Sequence, residues 1–364
     1  MVGPPSEPRP RPPRWTARAT AALAEAGGRV RVIASNTPLN LRGELRRLGE
    51  AWATSGAAEP RFVYEPPPAC AALRRALAAL ADELAAHGEL GDLYAARAHE
   101  LSDDAALCEA AGGPGLWSAA RRRFARRDGF DAHADAEAER WLAERAPDAG
   151  PDDGELVRSD DDGSPASLLC RMREEIGRAR LPLRVVVKEN LASLAATGDG
   201  FVQVIAGRLL TRRDVERTVL HEIAGHVEPR LRAAESALGI FAIGTARGAD
   251  DQEGRALWLE RRAGFLDHGR RREIGWRHVA ARSVEAQADF VATVRLLLAH
   301  AAPLETALRV AARVHRGGGL GREAVYLPAL LRVEDAVAQD RSIDEVLRVG
   351  RVAVDAAPAL RAWV

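Results

Sequence analysis

The sequence predicts an α+β fold, predominantly helical, with a small sheet set beside one helix. Three observations carry this expectation. Apolar residues recur at three- and four-residue spacing through most of the chain. Two short runs rich in β-branched residues, Leu183 to Val187 and Gly200 to Ile205, precede a helix that begins after Thr211. An acidic stretch rich in Gly and Pro, residues 151–165, separates a mainly helical region, 15–150, from the region holding both runs, 166–364.

Residues 1–14, rich in Pro and Arg, read as a disordered leader. The apolar run Val30 to Ala34 reads as a short strand, and Asn36-Thr37-Pro38-Leu39-Asn40 as the turn into the next helix. From Cys70 to His87, Leu73, Leu77, Leu80 and Leu84 fall on one helical face, and His87-Gly88 is a plausible stop. Ser167 to Arg178 reads as helix, and the two strands follow. Thr211-Arg212-Arg213-Asp214 has capping-box spacing. The helix it starts carries His221 and His226 and is expected to end near Pro229. The remainder is helical, with breaks at 244–248, 267–269 and 317–321.

The 364 residues carry no net charge, which argues against electrostatic capture of nucleic acid or of an anionic membrane. No apolar run reaches membrane-spanning length, and the N-terminus lacks the apolar core of a signal peptide. Cys70, Cys108 and Cys170 are few and far apart, so neither a disulfide framework nor a cysteine metal site is expected. A reducing compartment suits them, and the cytoplasm is the expected location. Nothing in the pattern sets an oligomeric state.

The chemistry concentrates in His221-Glu222-Ile223-Ala224-Gly225-His226. Two histidines on one helix plus a distant carboxylate is a common way to hold catalytic zinc with one position open for water. The familiar spacing is four residues, which stacks both rings on one face. Here it is five, which on a regular helix turns the second ring about 140° from the first. The helix must bulge or unwind between them, and Gly225 is the residue expected to allow it. Glu222 is the candidate general base. For the third ligand, Glu228, Asp250, Asp251, Glu253, Glu260 and His268 are candidates. Glu253, near the start of a helix expected over Gln252 to Leu266, has a competing role, because Asp250-x-x-Glu253 is itself a capping-box spacing.

His221-Glu-Ile-Ala-Gly-His226 followed by Gln252-Glu253-Gly254-Arg255-Ala256 resembles the flavohaemoglobin expression-modulating QEGLA-motif proteins. That family is similar to the microtubule-associated tyrosine carboxypeptidase of animals. Pro38-Leu39-Asn40, Pro60 to Tyr64, Arg313 to Gly317 and Tyr326-Leu327 extend the resemblance over about residues 30–335, in the family's order. It implies a zincin-like metallopeptidase in which His221, His226 and Glu253 ligate Zn2+ and Glu222 activates the attacking water. It also implies a peptide or protein C-terminal tail as substrate. The chain departs from the family at Arg255, at 228–233 and at 320–324, positions expected to shape the substrate pocket without touching the ligands.

A carboxypeptidase must hold a terminal carboxylate, a task suited to arginine's planar fork. Arg282, Arg313, Arg316 and Arg322 are candidates, and Arg316 leads because it lies in a matched segment. His315 and Tyr326 are candidate donors to the oxyanion. The expected activity is removal of a C-terminal residue, aromatic residues included. The alternatives are an endopeptidase or other amide hydrolase on the same zinc, or a non-catalytic zinc-stabilised regulatory protein.

Overall fold

The computed structural model describes residues 10–126, 128–145, 155–189, 191, 193–198 and 200–364. It is 67% helix, with small sheets, in keeping with the α+β expectation. Through the N-terminal region run α1 (Arg14–Arg29), α2 (Val32–Asn36), α3 (Leu41–Ser55), α4 (Ala71–Ala85), α5 (Gly88–Glu109), α6 (Leu116–Arg123) and α7 (Asp128–Ala143). Then come β1 (Val157–Arg158), α8 (Leu168–Arg178), β2 (Arg184–Lys188), β3 (Ala195–Gly198), β4 (Phe201–Ile205) and β5 (Leu209–Leu210). Next are α9 (Arg212–Glu222), a π-helical turn (Ile223–Val227), α10 (Glu228–Glu235), α11 (Ile240–Ile243) and α12 (Gly248–Arg262). The chain closes with α13 (His268–Glu285), α14 (Phe290–Ala299), α15 (Leu304–Gly319), α16 (Tyr326–Gln339), α17 (Ser342–Leu347) and α18 (Ala357–Leu360).

Two cores position the site. The larger runs from α1 to α18 and includes Leu23, Tyr94, Trp141, Phe241, Leu257, Val294 and Leu330, so N-terminal and C-terminal helices share it. The smaller joins Leu168, Met172 and Ile176 of α8 to Ala195, Val202 and Val204 of the sheet and to Val215, Val219, Ile223 and Val227. Each such aliphatic side chain contributes about 1.5–3 kcal/mol on burial. The sheet order is β2-β4-β3, with β2 parallel and β3 antiparallel to β4. The second strand expected from sequence, β4, is therefore central, and the edge beside the helix is β3, which its small residues left hidden in the sequence.

Several expectations change. The run Val30 to Ala34 is not a strand; its residues lead into α2, closed by Asn36 Nδ2 donating to the Val32 carbonyl at 2.9 Å. Residues 1–9 and 146–154 lie outside the described residues, and Arg14 already belongs to α1. His268 opens α13 rather than lying in a loop, behind the cap Asp267. Pro229 does not end the motif helix. It stands at the start of α10, just after the π turn, where no i−4 hydrogen bond is demanded of it. The three cysteines are free, and among the described residues no helix is long and apolar enough to cross a membrane.

The flanking motifs are structural. Asn40 donates to the Arg61 carbonyl and accepts from Val63 N–H, pinning the Pro60–Tyr64 segment onto α3. Tyr64 in turn accepts from Gly317 N–H at 2.9 Å, anchoring the break in α15. Gly317 is obligatory there: its φ is +69°, and an added Cβ would lie 1.9 Å from Asn36 Oδ1.

Candidate metal centre and active site

The capping box expected at Thr211 and Asp214 starts α9, and the chain then meets the problem set by five-residue spacing. The solution is the π turn Ile223–Val227, in which Glu228 N–H donates to the Ile223 carbonyl five residues back. A turn of that width returns residues five apart to one face. Gly225 matters for a reason other than the one expected. Its φ is not positive; its missing side chain lets the turn close on α12, since an added Cβ would lie 2.7 Å from Ala256 Cβ. Arg255 reinforces the turn, donating to the Ala224 carbonyl at 3.1 Å and to Asp344 at 2.8 Å. This departure from the family pattern thus supports the backbone between the histidines.

The wide turn sets His221 Nε2 and His226 Nε2 3.3 Å apart. Glu253 Oε2 lies 3.6 Å from the first and 3.7 Å from the second. Ligands about 2.0–2.1 Å from one tetrahedral zinc are about 3.3–3.4 Å apart, so the three atoms stand at nearly the separations one ion requires. The outward nitrogens are also committed. His221 Nδ1 meets Glu260 Oε1 at 2.7 Å, and His226 Nδ1 meets Gln252 Oε1 at 3.1 Å. Since Glu260 and the Gln252 carbonyl oxygen only accept, each ring holds a proton on Nδ1, leaving Nε2 as the nitrogen that would bind a metal in place of its own proton. Glu260 is fully buried and accepts two hydrogen bonds from Arg270, which fixes it. This donor set fits a zinc ion.

The electrostatics agree. Burial alone would lower the His221 pKa, but Glu253 and Glu260 raise it to about 10. Burial would raise Glu253, yet the two imidazoles and Arg322 hold it well below the carboxylate range. Two carboxylates thus stabilise a cation where the imidazoles meet. The capping alternative for Glu253 fails, because α12 begins at Gly248, which puts Asp250 inside the helix, paired with Arg123 at 3.1 Å. Glu222 is buried, and Thr197 on β3 donates to its Oε2 at 2.8 Å.

A model of the microtubule-associated tyrosine carboxypeptidase family matches residues 52–364. The chain belongs to that family. The match starts later than the resemblance suggested and runs to the C-terminus. A search of curated proteins finds no match. As in that family's name, the activity in question is that of a carboxypeptidase.

The remaining candidates divide. Tyr326 stands near the triad: its hydroxyl accepts from Arg322 Nη1 at 3.2 Å, and Arg322 Nη2 lies 3.6 Å from Glu253 Oε1. The departing segment 320–324 therefore does reach a candidate ligand, Glu253, against expectation, because the break in α15 turns Arg322 back onto α12. Arg316 is buried and its Nη2 donates to Glu323 at 3.0 Å, so the structure ties it to an internal carboxylate. His315 bonds Thr293 at 2.8 Å and packs on Phe290, directing it to α14 rather than to the triad. Burial lowers its pKa to about 4. The unfolded chain then takes up this proton first as pH falls, so stability should drop from about pH 6.5 and level off below about 4. Melting curves across that window should fall less steeply for His315→Gln; an unchanged slope would remove the assignment. Thr197 and Arg270 were not recognised from sequence, Gln252 was seen only as part of a motif, and Arg322 only as a candidate for the substrate carboxylate. Gln252 stands within the second motif, and Glu260, two turns beyond Glu253 on the same face, was considered only as a ligand.

Proposed function

We propose that the chain is a zinc-dependent, zincin-like carboxypeptidase that removes a C-terminal residue, aromatic by preference, from a peptide or protein tail. The convergence of His221 Nε2, His226 Nε2 and Glu253 Oε2, with both outward nitrogens held by acceptors, carries this reading. When bound there, zinc would supply Lewis acidity, easing water deprotonation and polarising the scissile carbonyl. Glu222 takes the water's proton and returns it to the departing amine. Thr197 occupies Glu222 Oε2 and leaves Oε1 for the proton transfer. The edge strand β3 has one side unpaired by β4, suited to backbone pairing with an extended substrate. The free cysteines suit a cytoplasmic setting.

Metal analysis together with mass spectrometry of peptides tests this. Purified protein should carry about one zinc per chain and shorten free-acid peptides one residue at a time from the C-terminus. A chelator should abolish trimming and added zinc restore it. A metal-free protein that trims at full rate would remove zinc from the mechanism. Internal cleavage of C-terminally amidated peptides would replace the exopeptidase with an endopeptidase.

A further inference from the structure

Around Tyr326 the charges do not balance. Arg277 and Arg322 stack on its ring, with guanidinium carbons 4.3 and 5.6 Å from the centroid. Arg313 and Arg316 join through Glu323, which both contact, and Arg313 also approaches the Tyr326 hydroxyl. The neighbouring carboxylates are Glu323 and Glu253, and Glu253 belongs to the triad. Glu273, one turn before Arg277, forms its ion pair with Arg270. Glu273 also acts on Arg277 and Asp250 on Arg322 from farther away, so the crowding of positive charge is local to the Tyr326 ring.

Arg277 is where the imbalance is sharpest. The residue is 8% exposed, and among the described residues its Nε and Nη2 meet no hydrogen-bond acceptor. Burial lowers its pKa, and repulsion from Arg313 adds to the effect. A buried cation is ordinarily paired. The two open atoms form one edge of the guanidinium, whose parallel N–H bonds match a carboxylate. Elsewhere in this chain the same edge is filled that way: Arg47 on Glu44 at 2.9 and 2.6 Å, and Arg171 on Glu216 at 2.9 and 3.1 Å.

We propose that Arg277 receives the α-carboxylate of the substrate's C-terminal residue on its Nε–Nη2 edge, within the positive field of Arg313 and Arg322. This assignment rests on the carboxypeptidase reading above and makes Arg277, rather than Arg316, the residue that selects a free chain end. A terminal carboxylate lies one residue, about 3.8 Å of chain, beyond the scissile bond. One tyrosine ring and the Arg322 guanidinium connect Arg277 to Glu253. Both open atoms are closed to solvent, so an entering carboxylate displaces a neighbouring side chain.

Kinetics and calorimetry on the zinc-loaded full chain test it. Arg277→Ala should raise KM for a free-acid peptide on the order of 100-fold, with kcat changing far less and zinc content retained. Arg277→Lys, which keeps charge without the fork, should fall between, and it carries the test if the alanine variant does not fold. In a Glu222→Gln background, calorimetry should show the free-acid peptide losing the same factor on Arg277→Ala, and the amidated peptide losing almost none. Unchanged KM in a folded Arg277 variant, or equal binding of acid and amide with Arg277 intact, would overturn the assignment while wild-type trimming stands. Failure of the wild type to trim any peptide would instead overturn the peptidase reading beneath it.

Discussion

Glu222→Gln should lower peptide turnover by about 10²- to 10⁴-fold while leaving zinc content and melting temperature unchanged. Glutamine has the same shape, and its carbonyl oxygen can still accept from Thr197, so the local packing survives. What it lacks is an oxygen basic enough to take a proton from water. The proposed zinc ligands are other side chains, His221, His226 and Glu253, so metal retention separates lost chemistry from a lost site. Turnover of a free-acid peptide and zinc analysis on the same sample decide the matter. Full turnover in a zinc-loaded Glu222→Gln protein would remove Glu222 as the base.

Gly254→Val should be among the most damaging substitutions outside the proposed ligand set. A Cβ at position 254 would lie 2.4 Å from the Ala329 carbonyl carbon and 2.5 Å from its oxygen, so α12 and α16 must move apart. Backbone cannot yield as a flexible side-chain end can. A loss of about 3 kcal/mol or outright misfolding is expected. Glu253 precedes the glycine and Gln252 precedes Glu253, so separating the helices also disturbs a ligand and the group orienting His226. Gly177→Ala in α8 is the control. Nothing lies within 4 Å of its added Cβ, and a gain of about 0.5–1 kcal/mol is expected from the helix preference alone. Chemical denaturation of the variants beside wild type checks both, and a native-like Gly254→Val protein would refute the close approach.

How far the sequence discloses the site depends on how local each cause is. The capping box at Thr211 and Asp214 is a four-residue signal and appears as read. The histidine spacing forces a deformation, and the π turn supplies one. Choosing Glu253 needed the resemblance, because its geometry depends on how α12 packs against α9. The same dependence hid Thr197, which meets Glu222 only after β3 pairs with β4, and Arg270, which acts through Glu260. Arg316 and His315 were favoured for their place in a matched segment. The positive-φ glycines after Arg316 redirect the chain, and the two side chains end on Glu323 and Thr293. The run Val30 to Ala34 failed differently: five apolar residues fit a strand or a helical turn equally well.

The π turn also fixes where in this helix an insertion or deletion can be absorbed. Upstream of it, Val215, Val219 and Ile223 point into the smaller core; downstream, Val227 points into the same core. One surplus residue held in a widened turn leaves both stretches in phase with one hydrophobic layer. Removing Ala224 would recreate the commoner four-residue spacing and close the widened turn to a regular one, with both flanks still in phase. The carbonyl that Arg255 grips would be gone. The unusual spacing and the arginine that replaced the family's leucine are thus coupled, and neither can revert alone without losing the other's partner.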